Sequence, residues 1–173
     1  MSHAELVFHC AMGAVIAPPA SAQPAQQFEI APVFASLEGT WEGSGVLLGR
    51  PAVFEMRWES ESPSFARLSF SNAWMDEEGA RTPVLTSRAV YFVRGDSALG
   101  VWLDDRPQRI SLEAVLTDST LVTSWSAESE RGRTEYVVQS ATMVVVRDFV
   151  IADGAERLFA EATYEPVKTD PAR

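Results

Sequence analysis

From Thr40 to Pro166 the chain contains no histidine and no cysteine, because His3, His9 and Cys10 all lie within the first ten residues. That removes several chemistries from the body of the protein. Haem ligation through a proximal histidine has no ligand, a Ser-His-Asp triad has no base, and zinc would find only carboxylates. Glu113 in Ile110-Ser111-Leu112-Glu113-Ala114 and Glu161 in Phe159-Ala160-Glu161-Ala162 sit inside apolar runs, where burial would raise a carboxyl pKa toward values useful for acid–base work. Alternation sets Glu113 against Leu112 and Ala114, hence on the outer face, and neither carboxylate is assigned a catalytic role. Asp104-Asp105 ahead of Pro107 could hold calcium, but no EF-hand spacing accompanies them and a solvated turn is the simpler reading. No metal and no cofactor is expected.

The aromatic residues are the more informative set. Trp58, Trp74, Trp102 and Trp125, with Phe54, Phe70, Tyr91 and Tyr136, are spread over several segments rather than grouped in one. Pointing into one interior, together with Met56, they would line a cavity for a small apolar or amphipathic ligand; the alternative is that they fill that interior as packed core. An interior arginine would fix an anionic head group. Arg57, Arg67, Arg88 and Arg133 are the candidates, although alternation puts Arg57 and Arg67 on the wet face.

The elements that must position these residues follow from punctuation. Turn signals recur at Gly49-Arg50-Pro51, Glu61-Ser62-Pro63-Ser64, Asp76-Glu77-Glu78-Gly79, Gly95-Asp96, Asp104-Asp105-Arg106-Pro107, Thr117-Asp118-Ser119, Glu130-Arg131-Gly132 and Asp153-Gly154. The segments between them are rich in Val, Phe, Trp, Tyr, Thr and Leu, which favours strands, and the longest, Arg133 to Ala152, divides near Ser140. Turns this short cannot carry a parallel crossover, so the sheet is an antiparallel meander. Phe54, Met56 and Trp58 oppose Glu55, Arg57 and Glu59, and Leu68, Phe70 and Trp74 oppose Arg67, Ser69 and Ser71, so one face is dry and the other wet. Closing such a meander removes both edges. The expected fold is therefore all-β, an antiparallel up-and-down barrel of eight to ten strands over residues 32–166, preceded by a short helix at Pro32 to Leu37.

Gly39-Thr40-Trp41 is similar to the Gly-x-Trp signature of lipocalins and their calycin relatives. Thr40-Trp41-Glu42-Gly43-Ser44-Gly45 and Val146-Arg147-Asp148-Phe149 resemble the opening and closing strands of bacterial lipocalin-like domains and nitrobindin-type barrels. The resemblance covers about residues 32 to 166. It implies a helix plugging one barrel end, and a late-strand arginine packed on the first-strand tryptophan, here Arg147 on Trp41. A guanidinium can cover an indole face while keeping its charge solvated. The missing histidine departs from nitrobindins and puts their haem chemistry out of reach.

Leu6 to Ala17 is a short apolar run followed by Pro18-Pro19 and by Ala20-Ser21-Ala22, a small-x-small pattern. Residues 1–22 therefore read as a signal peptide, whose apolar run is too short to span a bilayer, with a mis-assigned start as the alternative because the leading MSHAE carries no basic residue. The expected location is periplasmic or secreted, or cytoplasmic on the second reading. Residues 23–31 read as a flexible lead-in and 167–173 as a disordered tail. The net charge of -10 disfavours nucleic acid as a partner. The function expected first is non-catalytic binding or carriage of a small apolar or amphipathic molecule, by a monomer or homodimer. An interior carboxylate acting on a lipid-like substrate is the second reading, and a structural or partner-binding barrel with a filled core the third.

Overall fold

The computed structural model describes residues 30–106 and 108–168. The expected export segment, the lead-in apart from Ile30 and Ala31, and the tail beyond Lys168 lie outside the described residues. Helix α1, Pro32–Leu37, carries proline in its first turn, where a missing N–H costs no hydrogen bond. Ten strands follow: β1 Gly39–Leu47, β2 Arg50–Ser62, β3 Phe65–Met75, β4 Arg81–Arg94, β5 Ser97–Asp104, β6 Ile110–Leu116, β7 Thr120–Ser126, β8 Arg131–Ser140, β9 Met143–Ala152 and β10 Ala155–Pro166. The long segment does divide after Ser140. Every strand pairs antiparallel with its chain neighbours, and β1 also pairs with β10, so the meander closes into an up-and-down barrel. No helix among the described residues is long and apolar enough to cross a membrane.

Two hairpins show how local chemistry sets the path. Leu48-Gly49 has φ of 51° and 78°, and Asp153-Gly154 has φ of 53° and 77°. Two consecutive positive φ values turn the chain with the twist its flanking strands need. At the β3–β4 turn the Asp76 carboxylate instead accepts the backbone N–H groups of Glu78 and Ala80, at 3.0 and 2.8 Å.

The barrel interior is divided along its length. At the helix end, Val33, Phe34 and Leu37 of α1 are buried and pack with Trp58, Tyr91 and Tyr136. Ring centroids there lie 5.5 Å apart for Phe34–Trp58, 5.6 Å for Trp58–Tyr91 and 5.4 Å for Trp58–Tyr136. The opposite end, formed by the turns after β1, β3, β5, β7 and β9, is the open one. On the outer wall the arginines form ladders with carboxylates, as in Arg67 with Glu59 and Glu61 and Arg133 with Glu135 and Glu156.

The Trp41–Arg147 contact is not made. Trp41 points inward and is buried, and its indole N–H donates to the Leu37 carbonyl at 2.7 Å, tying the end of α1 to β1. Arg147 lies between inward-facing Val146 and Asp148, so its side chain leaves the other face of the wall, where Nε meets Glu161 Oε2 at 2.5 Å. The register separates the two residues further, since Trp41 stands opposite Pro166 and Arg147 opposite Glu161. Stacked cations do occur elsewhere, Arg50 over Trp74 and Arg133 over Phe149, at 4.2 and 4.5 Å.

Candidate functional site

Above the aromatic floor the barrel holds a cavity of about 580 Å³. Of the nine side chains expected to line it, five do: Phe70 on β3, Tyr91 on β4, Trp102 on β5, Trp125 on β7 and Tyr136 on β8. The other four do not reach it. Phe54, Met56 and Trp58 are inward but packed, at 3, 1 and 2% exposure, because β2 delivers them to the filled part of the barrel. Trp74 is drawn to the wall, where its N–H donates to Leu47 O at 3.3 Å beneath Arg50.

Local sequence explains two of the rings that line the space. Trp125 lies across Gly132 on the neighbouring strand, where an added Cβ would fall 2.2 Å from its Cζ2. Trp102 is held by its own strand: its indole N–H donates to Asp104 Oδ2 at 3.0 Å. Phe70 packs against it, with ring centroids 5.7 Å apart.

At the mouth, Asp104 accepts the Arg106 backbone N–H at 2.9 Å and its guanidinium Nη2 at 2.7 Å. That guanidinium holds the Asp104 carboxyl below its ordinary value. Arg106 reaches on to Glu130 Oε1 at 2.5 Å, joining the β5–β6 turn to the β7–β8 turn. With its oxygens occupied in this way, Asp104 is a bracing group rather than a calcium ligand. No cluster of three metal-ligating residues occurs among the described residues.

Neither sequence-selected carboxylate faces the cavity. Glu113 is exposed on the outer face of β6, as its alternation required, and Glu161 is exposed beside Arg147. None of Arg57, Arg67, Arg88 and Arg133 is interior either: Arg57 and Arg67 pair with Glu59, Arg133 pairs with Glu156, and Arg88 is exposed.

The interior carboxylate is Asp148 on β9, which the sequence reading passed over in favour of its neighbour Arg147. Thr134, directly opposite on β8, donates its hydroxyl to Asp148 Oδ1 at 2.6 Å. Burial pushes the Asp148 carboxyl up from 3.8 to about 6, with the Thr134 bond acting in the opposite direction. Tyr91, whose hydroxyl lies 3.3 Å from Thr123 Oγ1, is pushed up to about 12 by burial, and Tyr136 is raised for the same reason. These phenols are neutral at physiological pH.

The Asp148 shift has a stability consequence. A folded-state pKa above the unfolded one means that the folded protein holds this proton more tightly, so the group favours folding most at acid pH. That advantage is lost as pH rises through about 6. Asp148→Asn keeps an acceptor for Thr134 and removes the charge. It is expected to raise stability by about 1 to 3 kcal/mol near pH 8 and to change it little near pH 4. Urea melts at both pH values check this, and a variant less stable than wild type at the higher pH would contradict it.

No protein-family model matches the chain, and no curated protein matches it. Solved structures do. A crystal structure of Rv2717c from M. tuberculosis aligns with a TM-score of 0.61 at 13% identity, covering 81% of this chain and 100% of that one. The S-type phycobiliprotein lyase CPES from Guillardia theta aligns with a TM-score of 0.53 at 13% identity, covering 79% and 91%. The closed up-and-down barrel expected from the sequence is thus the fold observed, and these structures share it.

Proposed function

We propose that the protein binds a small, largely apolar molecule inside the barrel and carries or senses it without transforming it. The supporting observation is the cavity of about 580 Å³ walled by six aromatic rings, the five above and Phe159, a size within the range of about 300 to 1,000 Å³ usual for small-molecule sites. A filled core describes only the part of the barrel beneath the Trp58 floor. Ring surfaces of this kind bind through burial of apolar area, offset by the cost of association.

The test is a titration of apolar dyes and aromatic ligands followed by tryptophan emission. Trp102 and Trp125 line the cavity whereas Trp41, Trp58 and Trp74 do not, so the ligand-induced change should shrink most in Trp102→Phe and Trp125→Phe. Trp102→Ala should weaken binding by about tenfold or more, the scale of losing one large aromatic contact. Flat titrations across the panel, with no ligand raising the thermal midpoint, would refute the reading.

One observation favours the second reading, an enzyme. Asp148 is a cavity carboxyl with a pKa of about 6, near the value that suits a general base. Turnover of a bound ligand that Asp148→Asn abolishes while binding persists would move the assignment to catalysis.

A further inference from the structure

Three of the four charged residues facing the cavity are acidic. Asp148 lies within the wall, and no described residue donates a hydrogen bond to its Oδ2, Thr134 being engaged with Oδ1. On a different arc of the wall Asn72 also lines the space, and its side-chain oxygen is buried without a donor. At the mouth stand Asp105, Glu130 and Arg106, and the guanidinium of Arg106 is already committed to Asp104 and Glu130. The cavity therefore presents one carboxylate oxygen in want of a donor, neutral donors on Trp125 and Tyr136, and no uncommitted cation among the described residues.

From this arrangement we propose that the bound molecule carries a cationic, hydrogen-bond-donating head of the amine type, which pairs with Asp148 while its apolar body lies against Phe70, Trp102 and Trp125. The inference rests on the reading of the cavity as a ligand site. A carboxylate in the wall of an apolar cavity gains most from a donor that is itself charged, and ring faces attract cations where they repel anions. An anionic head group would meet an unpartnered carboxylate and no free arginine, which is discrimination by repulsion as well as by attraction.

The groups near Asp148 from the elements around it are Thr134 and Tyr136 of β8, Tyr91 of β4 and Tyr164 of β10, with the three charged mouth residues above. All three phenols are raised and stay neutral at physiological pH, so Asp148 is the cavity group that titrates near neutrality. An amine needs it ionised. Amine affinity should therefore fall as pH drops through about 6, whereas affinity for a matched alcohol should hold.

The experiment compares naphthylmethylamine, naphthalenemethanol and naphthoate by calorimetry at neutral pH and low salt. The amine is expected to bind at least about tenfold tighter than the alcohol, as a charge-assisted hydrogen bond would give, with naphthoate weakest. Asp148→Asn should bring amine and alcohol within about threefold of each other. Because the net charge of -10 attracts any cation, Glu113→Gln on the outer wall serves as the control, and it should leave the amine preference intact. Equal binding of the three compounds, a preference for naphthoate, or an amine preference that survives Asp148→Asn would overturn the inference. So would failure of all three to bind. Where any of the three binds, the ligand-site reading stands without the amine; where all three fail, it stands only if a neutral apolar dye still binds, and otherwise both fall.

Discussion

Replacing Trp58 by alanine is expected to lower the unfolding free energy by about 3 to 5 kcal/mol, the range for deleting a large buried aromatic whose surroundings cannot collapse. Trp58 is 2% exposed and touches Phe34 from the helix, Tyr91 from β4 and Tyr136 from β8, so its ring joins the plug to two distant arcs of the wall. Its indole N–H is buried with no acceptor. Trp58→Phe therefore keeps a ring while discarding an unpaired donor, and should cost less than about 1.5 kcal/mol. Denaturant melts of both variants check the pair. A Trp58→Ala loss below about 1 kcal/mol would mean that the floor is not packed as described.

The second large effect is expected at the seam. Gly45 on β1 faces β10, and a Cβ at this position would fall 2.0 Å from the Glu161 carbonyl oxygen and 2.7 Å from Ala162 Cα. Both are backbone atoms, so no side chain can move aside. Gly45→Ala must push β1 off β10, at a cost of about 3 kcal/mol, the upper end for overpacking. Ser44→Ala, exposed on the same strand, should stay within about 0.5 kcal/mol of wild type. Hydrogen exchange offers the sharper readout: Gly45→Ala should lose protection first in β1 and β10. Uniform loss around the barrel, or none, would contradict a rigid seam.

The strands were readable because their signals are local. Short turns force antiparallel neighbours, and alternation in Phe54-Glu55-Met56-Arg57-Trp58 places each residue on a face without knowledge of the rest. Depth along the barrel is not local. Trp58 and Trp102 are both inward, yet one is floor and the other lines the cavity, because that depends on how far α1 enters and on strand stagger. Asp148 was hidden differently. Val144, Val145 and Val146 are all buried, so the run before it has no alternation from which to take parity. Inward-facing Val146 fixes the parity once the structure is known: two residues on, Asp148 must look the same way.

The ladder that sets Trp41 opposite Pro166 also governs when this molecule can become itself. Nine of its ten pairings join strands adjacent in the chain and can form as successive hairpins, but the tenth joins the two ends. That closure carries the largest loop entropy, so it is expected to come last and to limit the folding rate, which refolding kinetics would check. During synthesis, β1 through β9 would emerge as an incomplete sheet with exposed pairing edges, which is the species most open to association with its neighbours. A circular permutant opened at Asp153-Gly154, with β10 joined ahead of α1, would turn the seam into a short connection and move the slow step elsewhere on the wall.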